Sequence, residues 1–395
     1  MKDIHIVGGI YVERCIQPIW DCVYGSGGRA AAAVSSMADV TLSSYVAKSL
    51  WEDACALSAR SGFSLRPTFV EQAISFDYLH PLAVPVISPP TTHIGQNDPL
   101  IVEADVVLRY GMLEGDGVVT AETAVYDPQS AFSVPRFSEN GSSAKRLAVV
   151  LNRYEARSMV GLDDPQEIST RLMDEGADVV VLKMGRLGAF VAWADKTERI
   201  PAYQTDFVWK IGSGDVFSAA FSLFWGLDEI SPDEATDLAS RATAYYCNSR
   251  GLPVPTIAGL QELSLKPVRS DAGQVYLAGP FFSLAQRWMI EEARKLLIEM
   301  GATVFSPVHE VGPGPASFVA PKDIEGLEAS DVVLALVDGM DPGTIFEVGY
   351  ARSRGIPVVV FAENAKAEDL KMMQGTGCEL VDDFSSAIYR TLWRL

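Results

Sequence analysis

Two short stretches of this sequence hold side chains that could do chemistry. The first is Gly212-Ser213-Gly214-Asp215, followed by the apolar run Val-Phe-Ser-Ala-Ala-Phe-Ser-Leu-Phe-Trp. Small residues ahead of a helix let backbone N–H groups face an anion, and the helix N-terminus adds partial positive charge. Such donors suit a developing phosphoryl charge, and a neighbouring carboxylate could take the proton from an attacking hydroxyl. Asp215 could equally do no more than cap a buried helix. The second stretch is Asp341-Pro-Gly-Thr-Ile-Phe-Glu347-Val-Gly-Tyr-Ala, just after Asp338. Crowded carboxylates suit glycosidic-bond cleavage, where one attacks the anomeric carbon and another manages protons or hydroxyls. Here too a structural reading competes. Thr344 three residues before Glu347 matches a capping box.

Both stretches need a scaffold, and the hydrophobic pattern predicts one. β-Branched, apolar runs at residues 4–10, 104–108, 147–151, 178–182, 275–278, 331–337 and 357–361 read as strands. Between them, helical patterns cover residues 30–38, 50–61, 165–175, 216–225, 232–248, 285–300 and 345–354. This alternation predicts an α/β protein with parallel sheets and helices on both faces. At 395 residues the chain exceeds one ordinary domain, so two are expected. Residues 263–273 are polar and aperiodic and read as a linker between domains at 1–262 and 274–395. The second stretch then falls beyond the carboxyl end of a strand, where ligands bind in open α/β sheets.

Composition removes several function classes. With 48% hydrophobic and 21% charged residues the chain can build an ordinary core. Its net charge of −19 disfavours a nucleic-acid polymer, which needs a basic stripe, but not a small nucleotide. No long uncharged apolar run predicts a membrane span, and the first residues read as a strand rather than a leader, so a cytoplasmic protein is expected. The cysteines at 15, 22, 55, 247 and 378 are scattered, odd in number and without a CxxC pair, which fits reduced thiols. His5, His80, His93 and His309 lie far apart and are read as structural, with no metal bound directly by side chains. Trp209 and Trp225 read as core residues.

The order of motifs around Asp215 resembles the ribokinase-like, PfkB-type family of carbohydrate and nucleoside kinases. Asn152-Arg-Tyr-Glu155 matches its Asn-x-x-Glu motif, Gly185-Arg-Leu-Gly188 its Gly-x-x-Gly, and Gly212 to Asp215 its catalytic signature. The resemblance implies a three-layer α/β/α fold, with ATP and Mg²⁺ as the donor system. It implies Asn152, Glu155, Gly185 and Gly188 around the nucleotide and Mg²⁺-phosphate, Gly212, Ser213 and Gly214 as the anion hole, and Asp215 as base. On the acceptor side it implies Glu13 and the stretch containing Gly27, Gly28 and Arg29, with the arginine near the position of the family's asparagine.

Residues 274–395 resemble the nucleoside 2-deoxyribosyltransferase family. The match runs through Tyr276, Gly279-Pro280-Phe281, Asp323-Ile-Glu-Gly-Leu and the 341–351 motif. It implies a smaller flavodoxin-like, doubly wound parallel sheet and N-glycosidic chemistry that needs no cofactor. Glu347 would be the nucleophile and Tyr276 its positioning partner, with Asp323 and Asp341 assisting at the base and sugar. Gly279, Pro280, Phe281, Gly343 and Thr344 would line the nucleoside site, and the segment around Met372 would serve a neighbouring subunit, which implies a homo-oligomer. The partner expected is a small nucleoside or nucleotide, with no membrane and no nucleic-acid polymer. Three accounts of the fusion stay open. The kinase could act first on a nucleoside, it could trap the sugar freed by the glycosidase, or it could be a non-catalytic sensor.

Overall fold

Nearly every apolar run becomes a strand in the computed structural model, which describes residues 2–129, 134–269 and 272–395. Met1 and residues 270–271 of the expected linker lie outside the described residues. The chain divides into two compact units, one formed by residues 1–205 and 209–267 and the other by residues 206–208 and 268–395.

In the first unit the central sheet has nine strands. In spatial order they are Lys196–Ile200, Ala189–Trp193, Val179–Lys183, Ser143–Asn152, Gly117–Asp127, Leu100–Tyr110, Asp3–Val7, Asp39–Ala47 and Ser64–Val70. The last seven run parallel, and the edge pair is the antiparallel hairpin that leads toward Gly212. Val179 to Leu182 are buried throughout, as a sheet covered by helices on both faces requires. This is the ribokinase-like three-layer α/β/α fold that the motif order implied.

A second, four-stranded sheet was not legible in the sequence. It places Trp20–Val23, Val12–Cys15, Ser75–Tyr78 and Val86–Ser88 side by side. Its strands are three or four residues long and only partly buried, too short to carry a period-2 signal. The helix expected from residue 30 starts earlier, at Gly25 (Gly25–Val34). The early start is a packing effect. A Cβ on Gly27 would lie 2.6 Å from the Gly8 carbonyl oxygen, so glycine there lets the helix start press against the first strand's end.

The second unit is a five-stranded, wholly parallel sheet. Its order is Thr303–Phe305, Gln274–Ala278, Val332–Leu336, Val358–Phe361 and Glu379–Val381. Numbered along the chain this is 2-1-3-4-5, the doubly wound order in which ligands bind between strands one and three. Those strands are Gln274–Ala278 and Val332–Leu336, and their carboxyl ends lead to Gly279 and to the Asp341 loop. Among the described residues, no helix is long and apolar enough to cross a membrane.

Candidate active sites

In the first unit, Asp215 sits in the first turn of the helix Ser213–Phe221, with Gly212 at φ 73° just before it. The backbone there is left-handed, which glycine adopts without strain. Asp215 does not cap this helix. Its Oδ2 accepts from Arg29 Nη1 at 2.9 Å and its Oδ1 from Gln129 Nε2 at 2.5 Å. Arg29 Nη1 also donates to Glu13 Oε1 at 2.8 Å, Nη2 donates to Glu13 Oε2, and Nε donates to Tyr246 Oη at 3.0 Å. Glu13 further accepts from the Gly25 N–H at 3.1 Å. Sequence positions 13, 29 and 215 thus meet in one buried cluster.

The cluster borders a cavity of about 220 Å³ whose far wall is apolar and aromatic: Tyr11, Phe76, Tyr78, Ile87, Met112 and Leu113. Gly27 and Gly28 do not line it. Gly27 packs on Gly8, and a Cβ on Gly28 would stand 3.0 Å from Leu57, so their smallness serves helix packing.

Next to Asp215, beyond Gly214, lies a second charged group. Lys183 Nζ donates to Asp127 Oδ2 at 2.6 Å, and Ser218 Oγ donates to the same oxygen at 2.6 Å. Among the described residues, the buried Asp127 Oδ1 has no partner. Burial raises the Asp127 carboxyl against the pull of Lys183. Glu155 is raised by burial and by Asp127. Burial lowers Lys183, but Asp127 and Glu155 outweigh it and hold the ammonium charged. Asn152 and Glu155 form a reciprocal capping box at the helix Arg153–Val160, at 2.9 and 2.7 Å. Gly185 and Gly188 take φ 60° and 81° in the turn after Lys183, and a Cβ on Gly188 would strike the Ile200 carbonyl at 2.0 Å.

Asp127 and Lys183 were not singled out from the sequence, although each ends a strand where an α/β sheet binds ligands. Gln129 and Tyr246 carried no sequence signal, because only the fold brings them to Asp215.

In the second unit, Tyr276 stands on the first strand, fully buried and stacked on Phe305 at 5.5 Å. Its hydroxyl donates to Glu347 Oε1 at 2.7 Å. The capping-box alternative for Glu347 is corrected by the helix Pro342–Ser353. Its cap is Asp341, whose Oδ2 accepts from the Thr344 N–H at 2.8 Å and the Thr344 hydroxyl at 2.9 Å. Pro342 is then the first helical residue, which leaves Glu347 a full turn too far in to reach a cap. Asp338 also leaves the acid group, since it accepts from the N–H groups of Glu363 and Asn364 at 3.1 and 2.9 Å. Met340, at φ 50°, takes the left-handed turn between Asp338 and Asp341.

Glu347 opens into a cavity of about 700 Å³, together with Gly279, Phe281, Asp323, Asp341, Gly343 and Thr344. Pro280 and Met372 do not line it. Pro280 is buried, and Met372 is 76% exposed on the helix Ala367–Gly375. Burial pushes the Glu347 carboxyl up to about 7. The Tyr276 hydrogen bond opposes this, and the charges of Asp323 and Asp341 add to it. Burial also raises Asp323, whose Oδ1 has no partner among the described residues. Burial and the facing Glu347 push the Tyr276 phenol well above its usual range, so it stays a donor.

Comparison with known proteins divides along the same two units. Residues 275–382 match the family model for nucleoside 2-deoxyribosyltransferase, and residues 144–256 match that for the pfkB family of carbohydrate kinases. Similar solved structures include a PfkB protein from Polaromonas sp. JS666, 14% identical, covering 67% of this chain and 100% of that one with a TM-score of 0.48. A ribokinase from Thermotoga maritima is 13% identical over 66% of this chain and 98% of its own, with a TM-score of 0.47. A pyrophosphate-dependent kinase in the ribokinase family, complexed with a pyrophosphate analog and myo-inositol, is 16% identical over 66% and 99%, with a TM-score of 0.47. No curated protein matches the chain.

Proposed function

We propose, from the two family matches, that the chain joins two activities on one class of small molecule. The C-terminal unit breaks or transfers the N-glycosidic bond of a nucleoside or nucleotide. The N-terminal unit phosphorylates a nucleoside hydroxyl. The observation that carries the reading is the Tyr276–Glu347 pair at 2.7 Å, open to a 700 Å³ cavity that holds two further acids.

In the C-terminal unit, ionised Glu347 attacks the anomeric carbon. The C–N bond breaks, and the glycosyl group stays on the Glu347 carboxylate as an ester. Tyr276 holds the attacking carboxylate in place through its O–H. Asp323, whose acid form burial favours, supplies the proton that the departing base needs. Asp341, fixed by Thr344 at the helix start, faces the sugar hydroxyls. Water or a second base then takes the sugar.

In the N-terminal unit, Asp215 takes the proton of the acceptor hydroxyl. The N–H groups of Gly212 and Gly214 and the Lys183 ammonium meet the transferring phosphoryl, whereas the Ser213 N–H, expected among them, is taken by the Lys210 carbonyl at 3.1 Å. ATP–Mg²⁺ fits the donor side, because the orphaned Asp127 Oδ1 and the Glu155 carboxylate offer oxygens beside Lys183. When bound, Mg²⁺ would neutralise phosphate charge there. The aromatic wall of Tyr11, Phe76 and Tyr78 favours an acceptor with a flat ring, a nucleoside, over a bare sugar. This supports a reading in which phosphorylation comes before base release. The exposed Met372 fits a segment lent to a second copy of the chain.

A nucleoside panel with and without ATP–Mg²⁺, followed by mass spectrometry of free base and phosphorylated sugar, tests the order. Base release that depends on ATP is the expected result. Equal release without ATP would contradict it and place the glycosidase first.

A further inference from the structure

Arg29 is 1% exposed, yet it lies beside the candidate general base. Its Nη1 divides between Asp215 at 2.9 Å and Glu13 at 2.8 Å, Nη2 adds a second bond to Glu13, and Tyr246 holds Nε at 3.0 Å. Space is kept for it. A Cβ on Gly212 would stand 2.2 Å from the guanidinium carbon, so the glycine that opens the anion hole also makes room for the arginine. Arg29 and Asp215 both line the acceptor cavity, and the guanidinium already donates to one of the two carboxylate oxygens to which a substrate hydroxyl would donate. It is not a vacant anion site, because two carboxylates already face its one charge.

We propose that Arg29 is a latch on phosphoryl transfer. It occupies the general base until an acceptor hydroxyl displaces it, and so it keeps water from being activated while the donor is bound. This inference rests on the kinase reading of the N-terminal unit. The reaction suppressed is ATP hydrolysis. In it, Asp215 would take a proton from water, the water oxygen would bond to the terminal phosphorus, and the bond to the bridging oxygen would break to leave ADP and phosphate. A single water cannot replace a buried ion pair held at four points, whereas an acceptor that fills the cavity and also bonds Glu13 can.

The test is acceptor-free ATP–Mg²⁺ hydrolysis by the full chain, with ATP binding measured by calorimetry in parallel. The wild type is expected to bind ATP and hydrolyse it scarcely above the protein-free rate. Arg29→Gln, which keeps an amide donor and removes the charge, is expected to raise hydrolysis on the order of tenfold or more, the worth of one charge-assisted hydrogen bond. Adding Asp215→Asn to it should return the rate to the wild-type level. Tyr246→Phe removes the oxygen that holds Nε and that donates to the Ile211 carbonyl at 3.0 Å, and it leaves the ring packing in place, so it should give a smaller rise even where Arg29→Gln folds poorly. Variants that bind ATP but hydrolyse it no faster than wild type would overturn the latch and leave the kinase reading standing. A wild-type chain that binds no ATP would overturn both.

Discussion

Glu347→Gln is expected to abolish base release, by a factor on the order of 10⁴ or more, and at the same time to stabilise the protein. The loss follows from chemistry. An amide cannot form the glycosyl ester, and no other acid in the cavity is held by Tyr276 as Glu347 is. The gain follows from burial, which keeps the Glu347 carboxyl protonated up to about 7. In the unfolded chain the same group loses its proton near 4.5. Between these values the folded state binds more protons, so this group's effect on stability turns unfavourable as pH rises and levels off above about 7. The cost at pH 8 is at most about 3.5 kcal/mol, from ~1.4 kcal/mol per pH unit. Thermal unfolding should therefore show the Gln variant gaining most over wild type at pH 8 and little at pH 4. Wild-type base release should follow a bell in pH, rising as Glu347 ionises toward about 7 and falling again as Asp323 loses the proton that the departing base needs. A Gln variant that releases base at the wild-type rate would remove Glu347 from its role.

Asp215→Asn should lower phosphoryl transfer to nucleosides on the order of a hundredfold or more, the usual worth of a general base. The asparagine can still accept from Arg29 through its carbonyl, so the buried cluster keeps most of its bonds. Release of base from a nucleotide that already carries a 5′-phosphate should be unchanged, because that step belongs to the other unit. Coupled ADP formation and chromatography of the base read the two steps separately. An unchanged transfer rate would take the base assignment away from Asp215.

Much of this arrangement was legible because parallel sheets announce themselves. Val179 to Lys183 and Val332 to Leu336 are nearly unbroken apolar runs, buried on both faces, and the chemistry follows at their carboxyl ends. Tyr276, Asp323, Asp341 and Glu347 stand in motif order, and the sheet brings the three acids to one cavity, with Tyr276 bonded to Glu347 from behind the lining. The caps were harder. Thr344 and Glu347 have capping-box spacing, and only the placement of Pro342 shows that Asp341 is the cap. Asp338 reads as a third acid until its bonds to two backbone N–H groups are seen. The acceptor side was least legible. Glu13 lies on a four-residue strand with no readable period, its partners are Gly25 and Arg29, and Arg29 in turn reaches Asp215 and Tyr246. A buried arginine that joins groups so distant in sequence leaves no local pattern.

The central claim is that Glu347 carries the sugar during the reaction, and the direct measurement is to trap it there. The protein is mixed with a nucleoside monophosphate bearing a 2′-fluorine, which slows breakdown of the ester by destabilising the oxocarbenium-like transition state. It is then quenched in acid, digested and analysed by peptide mass spectrometry. The predicted result is a mass increase of one fluorinated pentosyl phosphate on the peptide containing Glu347, absent from Glu347→Gln. Base release with no adduct, or an adduct on any other side chain, would contradict the account.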